Sequence, residues 1–368
     1  MAPRRVGILA LALLGMSGAL SVYAAVHPRE SSAALAKGQL AFDASLPGQV
    51  PAGTTLVVGD PVVQAIAKHT GWDHQLPFQI QWTQISGGPA VTEAFHAKAL
   101  DIGSGADMPP IHATWVGMPV KIVAVRLRKD PFTHPMYVLA VSPKAHISSL
   151  ADLRGKRIAY SPGQAQGEVV IRTLISQGLT PKDVTLVELP STSADVYINA
   201  LVSGSIDVAP IGSGAAEKRY LERFGSDGAK VLSHGPARDD FLCLFVRQET
   251  LEDPAKAAAV RAYVQLWARA QTWMNAHPDE WAKAYYVDDQ RLPLEDARYS
   301  VAAYGQAEIP VSWDKAIALQ QDTIDLMARA NQRPPFAAAG LFDRRFEPVA
   351  AESAAQEAGA AESKLAAR

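Results

Sequence analysis

The stretches ALDIGSGADMPP, Ala99 to Pro110, and SIDVAPIGSGAAEKR, Ser205 to Arg219, share one plan: a short apolar strand containing an aspartate, the tetrapeptide GSGA, then a helix start. Small residues at a strand's end let the backbone approach a neighbour closely, and the following helix turns its first unpaired N–H groups toward whatever lies there. Two familiar uses of paired glycines fail. A dinucleotide fingerprint needs a third glycine where Met108 and Glu217 stand. A hydrolase elbow needs glycine two residues to each side of its serine, which neither Ser104 nor Ser213 has.

Around both copies, apolar strand-like runs alternate with helical patterns. Strand candidates are residues 55–59, 78–82, 99–104, 120–126, 136–142, 156–161, 184–189, 205–211, 229–233 and 241–247. GPAVTEAFHAKA, EVVIRTLISQG and TSADVYINALVSG read as helices between them, and residues 253 to about 330 as a helical C-terminal third. Such alternation predicts an α/β protein with mainly parallel sheets and helices on both faces. Ligands bind such sheets beyond the carboxyl ends of their strands. Pro89 after Gly87-Gly88 suits a first helical turn, Ser149 is a cap, and the helix after Ser161-Pro162-Gly163-Gln164 starts among small residues with its N–H groups free to meet a ligand.

The chain has 368 residues, 48% of them hydrophobic, and a formal net charge of −2, so it can bury a large core and lacks the basic excess that nucleic-acid binding requires. Residues 1–24, with Arg4 and Arg5 before an apolar run ending near Leu20 and small residues around Ala24, read as a cleaved signal peptide. The run is short for a spanning helix and holds Gly15 and Gly18. Residues 25–53 read as a loose leader, and residues 347–368, rich in Ala and Glu, as a tail that adds little to a core. Cys243, the sole cysteine, lies in FLCLFV, where burial makes it an inert structural thiol rather than a nucleophile. No Cys/His metal cluster is legible, and no cofactor is implied.

Residues 82–125, WTQISGGPAVTEAFHAKALDIGSGADMPPIHATWVGMPVKIVAV, resemble the first-lobe signature of periplasmic substrate-binding proteins of ABC importers for nitrate, taurine and aliphatic sulfonates. Residues 148–190 are similar to the second lobe of that family: an entry helix, Leu-x-Gly-Lys, a strand, and a helix start rich in small polar residues. The resemblance, over roughly residues 54–330, implies a type II periplasmic-binding-protein fold: two α/β lobes joined by two crossover strands, placed at MYVLAVS and FLCLFVR. Lobe one would be 54–142 plus 242–346 and lobe two 143–241, with one copy of GSGA at each cleft edge. Ligand contacts carried over by the resemblance are Asp60, Pro61, Val62, Gly87, Gly88, Ser104, Gly105, Ala106 and Asp107 from lobe one. Lobe two would supply Ser161, Gln164, Ala165 and Gln166, with Ser213 and Gly214 beside them.

This chain departs from the family where an aromatic Trp-Asp-Pro turn is replaced by Ala209-Pro210-Ile211-Gly212-Ser213, so an aromatic wall is missing. Asp60 and Asp107 are odd neighbours for an anion: they cap helices or receive a ligand's amino group, and the sequence leaves both readings open. His96, His112, Trp267 and Trp273 read as structural, and Arg238 as paired with Asp239 or Asp240 on the cleft rim. The expectation is a non-enzymatic, monomeric periplasmic protein that captures a small sulfonate-like oxoanion and delivers it to an inner-membrane permease. A pyrimidine-like heterocycle is the alternative ligand. A pyrimidine-forming enzyme or a sensor partner is the alternative role.

Overall fold

The computed structural model describes residues 38–190 and 194–366; the expected signal peptide lies outside them. The first of two sheets holds β1 (Thr55–Gly59), β2 (Gln79–Trp82), β3 (Ile102–Gly105), β4 (Val120–Arg128), β10 (Leu242–Arg247) and β11 (Ala307–Glu308), in the order β11-β4-β10-β3-β1-β2. The second holds β5 (Tyr137–Val141), β6 (Arg157–Tyr160), β7 (Thr185–Glu188), β8 (Val208–Gly212) and β9 (Lys230–Leu232), in the order β7-β6-β8-β5-β9. β1, β2, β3 and β4 point one way while β10 and β11 oppose them; in the second sheet only β5 opposes the rest. Both sheets are therefore mainly parallel, flanked by helices, as the alternating pattern requires.

The chain passes between the sheets twice, after β4 and after β9. Residues 137–141, expected within lobe one, pair instead with β8 and β9, because Tyr137 to Val141 register residue by residue against Gly212 to Val208. The two GSGA copies end β3 and β8, one in each sheet.

The helices start and stop where local chemistry dictates. In α1 (Pro61–Thr70) the Asp60 carboxylate accepts the Val63 N–H at 3.2 Å, Pro61 fills the first turn, and Gly71 closes the last with φ 71°. Asp107 caps α3 (Met108–Trp115), accepting the Met108 N–H at 2.9 Å, and Asp253 caps α8 (Pro254–Ala276). Both questioned aspartates are thus helix caps. The remaining α-helices up to residue 331 are α2 (Gly88–His96), α4 (Ala165–Ser176), α5 (Ala194–Ser203), α6 (Ala215–Phe224), α7 (Gln248–Glu252), α9 (Pro278–Trp281), α10 (Leu294–Tyr304) and α11 (Asp314–Asn331).

Two expectations about the ends need correction. Residues 347–366 form α12 (Glu347–Ala366), which packs on α8, and Phe346, Val349 and Ala350 are buried in the main core. Small alanines permit close helix packing, so a segment poor in large apolar residues still joins the core. Residues 38–53 are also fixed: Phe42, Leu46 and Val50 pack against that core, and Arg345 donates to the carbonyls of Ala41 and Ala44. Trp267 and Trp273 are buried on α8, as their stripe predicts. Among the described residues no helix is long and apolar enough to cross a membrane.

Candidate functional site

The strand directions bring the ends of β1, β2, β3 and β4 to one edge of the first sheet. Gly105 pairs with Cys243 and Arg126 with Leu242, so the first GSGA copy and the end of β4 lie level on either side of β10.

Directly across from this edge stands the start of α4. The Gly88 N–H, at the start of α2, donates to Oε1 of Gln164, the residue before α4, over 3.2 Å. A Cβ on Gly88 would lie 2.5 Å from the Gly163 carbonyl oxygen, so only glycine permits this approach. Gly163 in turn faces the His112 ring, which a Cβ there would meet at 3.0 Å. His112, read from the sequence as structural, is therefore a cleft-edge residue; burial, then the charge of Arg333, holds its pKa below the usual value, leaving a neutral imidazole. Ser161 is buried in the turn, its carbonyl accepting the Gln164 N–H at 3.2 Å, while Ala165 and Gln166 begin α4.

Ser104, Gly105 and Ala106 are half-buried at the end of β3, and Ala106 O accepts from the Cys243 thiol at 3.5 Å. Burial pushes that thiol well above its usual pKa, as expected of a core residue. Asp107 connects three elements. Its carboxylate takes the Thr323 hydroxyl at 2.7 Å, its carbonyl accepts from Gln320 at 2.9 Å, and the Thr323 hydroxyl also lies 3.2 Å from Glu168 on α4. Arg172 binds Glu168, Asp322 and Thr323. Burial, then the Asp107 charge, pushes the Glu168 pKa well up, so this carboxyl holds a proton more readily than an exposed one. The cavity among these groups, about 20 Å³, admits about one water and no organic ligand.

The second GSGA copy lies elsewhere. The Ser213 hydroxyl donates to Pro135 O at 2.6 Å, Gly214 sits at φ 88° against Ser300, and the Ala215 N–H at the start of α6 is capped by the Ser300 hydroxyl at 3.1 Å. This copy docks on α10 and on the first crossing segment. Lys218 and Arg219, one turn on, pair with Asp296 at 2.6 and 3.2 Å. Arg238 pairs with Asp240 at 2.7 Å, as expected, while Asp239 takes His234 and the Tyr137 N–H.

Sequence reasoning placed Asp60, Pro61 and Val62 at this sheet edge but missed the aromatic and arginine side chains beside them. Asp60, Pro61 and Val62 follow β1, and Asp60 is buried with the Tyr263 hydroxyl 3.5 Å from its carboxylate. Burial pushes Asp60 up to about 6, against the hydrogen bonds from Val63 and Tyr263 and the charge of Arg126. The Trp82 ring, ending β2, stands 6.0 Å from that of Tyr263, with its indole N–H buried and unpartnered. Arg126 and Arg128 close β4. Two residues apart on a strand, they share one face, and both guanidinium carbons stand over the Tyr304 ring, 4.6 and 4.7 Å from its centroid. The end of VKIVAVRLR was the available signal: two arginines at spacing two after a strand whose residues, Lys121 apart, are apolar.

Two mainly parallel sheets, crossed between twice and facing each other through helix starts, define the class: the two-lobed fold of periplasmic binding proteins. The chain belongs to the NMT1/THI5-like family, whose profile matches residues 65–281. It is 29% identical over 157 residues to a putative aliphatic sulfonates-binding protein of Escherichia coli (strain K12), a match covering 43% of this chain and 46% of that relative, about half its length. A Bacillus subtilis (strain 168) protein of the same description is 25% identical over 271 residues, 72% of this chain and 77% of that one. Among solved structures, the alkanesulfonate-binding protein SsuA from Xanthomonas axonopodis pv. citri, bound to MOPS, superposes with a TM-score of 0.65 at 20% identity, covering 81% of this chain and 99% of that one. The desulfurization enzyme DSZB has the same fold, with a TM-score of 0.54 at 15% identity over 81% of this chain and 99% of its own. These structural likenesses establish the fold alone.

Proposed function

We propose that the protein is the solute-binding component of an ABC importer, capturing a small sulfonate-like oxoanion between its lobes and delivering it to an inner-membrane permease. The observation that carries this reading is the meeting of two helix starts, Gly87-Gly88 of α2 and Gln164-Ala165 of α4, across 3.2 Å. N-terminal N–H groups and the helix dipole favour an anion by about 0.3–1 kcal/mol each, more when partly buried. The relatives named for sulfonate binding support the same ligand class. On this reading Gly88, Ser104 to Asp107, Ser161 and Gln164 to Gln166 line the ligand, residues 1–24 direct export to the periplasm, and a monomer docks on the permease. On this reading the ligand is captured and handed over unchanged.

The mechanism is lobe closure. A ligand stabilises the closed form only through contacts absent from the open form, so its affinity comes from touching α2 and α4 together.

A second ligand class, a pyrimidine-like heterocycle, is favoured by one feature: the Trp82 and Tyr263 rings beside Asp60, a carboxyl that can donate or accept near neutral pH. A thermal-shift screen separates the two. Alkanesulfonates, taurine, nitrate and a pyrimidine set are compared on the purified protein, and a bound ligand raises the melting temperature. Shifts with sulfonates are expected; shifts with pyrimidines alone would replace the ligand and keep the fold.

A further inference from the structure

Arg126 is 2% exposed, its Nε and Nη1 lack any hydrogen-bond partner, and among the described residues it forms no ion pair with a carboxylate. Arg128 is 5% exposed; its Nη1 donates to the His134 carbonyl and its Nε is unpartnered. The nearby carboxylates are committed: Asp240 to Arg238 and the Arg128 N–H, Asp239 to His234 and the Tyr137 N–H, Asp60 to the α1 cap and Tyr263. Two guanidinium groups thus stand buried over one aromatic ring with no carboxylate of the described residues in ion-pair contact; Asp60 acts on Arg126, and Asp239 on Arg128, only at longer range. A buried charge is strongly unfavourable unless paired, and an arginine cannot escape by losing its proton. The arrangement is complete only with an anion.

The surroundings fit that role. Tyr304 is one turn from Ser300 on α10, so both lie on one helix face, and Ser300 caps the α6 start that carries the second GSGA copy. Arg128 and Ser213 hold adjacent carbonyls, His134 O and Pro135 O, of the same crossing segment. The arginine pair and the second GSGA copy therefore share two supports, at the end of the cleft where the chain passes between the sheets. We propose that Arg126 and Arg128, over Tyr304, form the anion subsite that receives an oxoanion headgroup; in taking that headgroup to be a sulfonate, the inference rests on the reading above. Planar guanidinium donors match oxoanion geometry, and their unpartnered Nε and Nη1 atoms supply the hydrogen bonds. The α2 and α4 starts would then add their N–H groups and dipoles to the same negative charge.

The test compares wild type with Arg126→Met, Arg126→Lys and Arg128→Met, titrating butanesulfonate by calorimetry and measuring melting temperature with sodium sulfate against sodium chloride at equal ionic strength. Wild type should bind butanesulfonate, and the Met variants should bind about 30-fold more weakly or worse, from the loss of a charge-assisted hydrogen bond. Sulfate should stabilise wild type and not Arg126→Met, and ligand-free Arg126→Met should melt no lower than wild type, since it loses an unpaired charge. Arg126→Lys, which keeps the charge without the planar fork, should retain intermediate affinity. Equal butanesulfonate affinity in wild type and all variants would overturn the subsite and leave the sulfonate reading standing. Sulfate stabilisation lost in Arg126→Met, with no butanesulfonate binding to wild type, would uphold the anion subsite and overturn the sulfonate reading. No anion response in wild type would overturn both.

Discussion

The Gln164 side-chain carbonyl, just ahead of α4, accepts the Gly88 N–H at the head of α2, and this one 3.2 Å bond joins the two lobes where both helix dipoles point. A ligand between the lobes must insert beside this bond or replace it. Gln164→Ala removes a neutral hydrogen bond of about 0.5–1.5 kcal/mol. Affinity for the sulfonate should fall by about 3- to 10-fold with the melting temperature of the ligand-free protein nearly unchanged. Calorimetry decides, and wild-type affinity would remove Gln164 from the ligand's path.

Gly88→Ala acts on the same approach from the other side. The new methyl group would stand 2.5 Å from the Gly163 carbonyl, a backbone atom with little room to retreat. The lobes should stay folded and close less completely, so small-angle scattering should report a larger radius of gyration with ligand present than wild type shows. An unchanged radius and affinity would place closure elsewhere.

Ser213→Ala separates the two GSGA copies. Its hydroxyl serves Pro135 O rather than the α2–α4 approach, so the substitution should cost about 0.5–1.5 kcal/mol of stability and leave ligand affinity within about twofold. A large loss of affinity at constant stability would return Ser213 to the ligand's contacts.

Asp60 gives a pH signature. Its carboxyl rises from 3.8 to about 6 on folding, chiefly by burial, so between those values the native state holds a proton that the unfolded chain has released. Stability therefore falls as pH rises from about 4 to about 6 and stays lowered above. Asp60→Asn keeps the helix cap and removes the ionisation. It should flatten that decline and raise stability at pH 7.5, by at most about 3 kcal/mol. Melting curves from pH 4 to 8 check this, and a variant less stable than wild type at pH 7.5 would contradict it.

Much of this architecture was legible because the physics was local. Alternating apolar runs located most strands, and Pro89 after Gly87-Gly88 located the start of α2. What escaped was long-range. Residues 137–141 read as apolar strand in either sheet, and only pairing with β8 decides between them. The identical GSGA spelling implied a shared site, yet Ser300, 85 residues further along the chain, claims the second copy. The α12 contribution rests on alanines fitting α8, which composition does not reveal. Thr323 meets Asp107 across 216 residues of chain and Glu168 across 155, and Arg126 is notable only for what it lacks in the folded state.

The most direct measurement of the central claim is a crystal structure of the full chain grown with an alkanesulfonate. The account expects one molecule between the lobes, in reach of Gly88 and the start of α4. Density for the ligand only outside the cleft, or lobes joined as here with no ligand between them at saturating concentration, would contradict it.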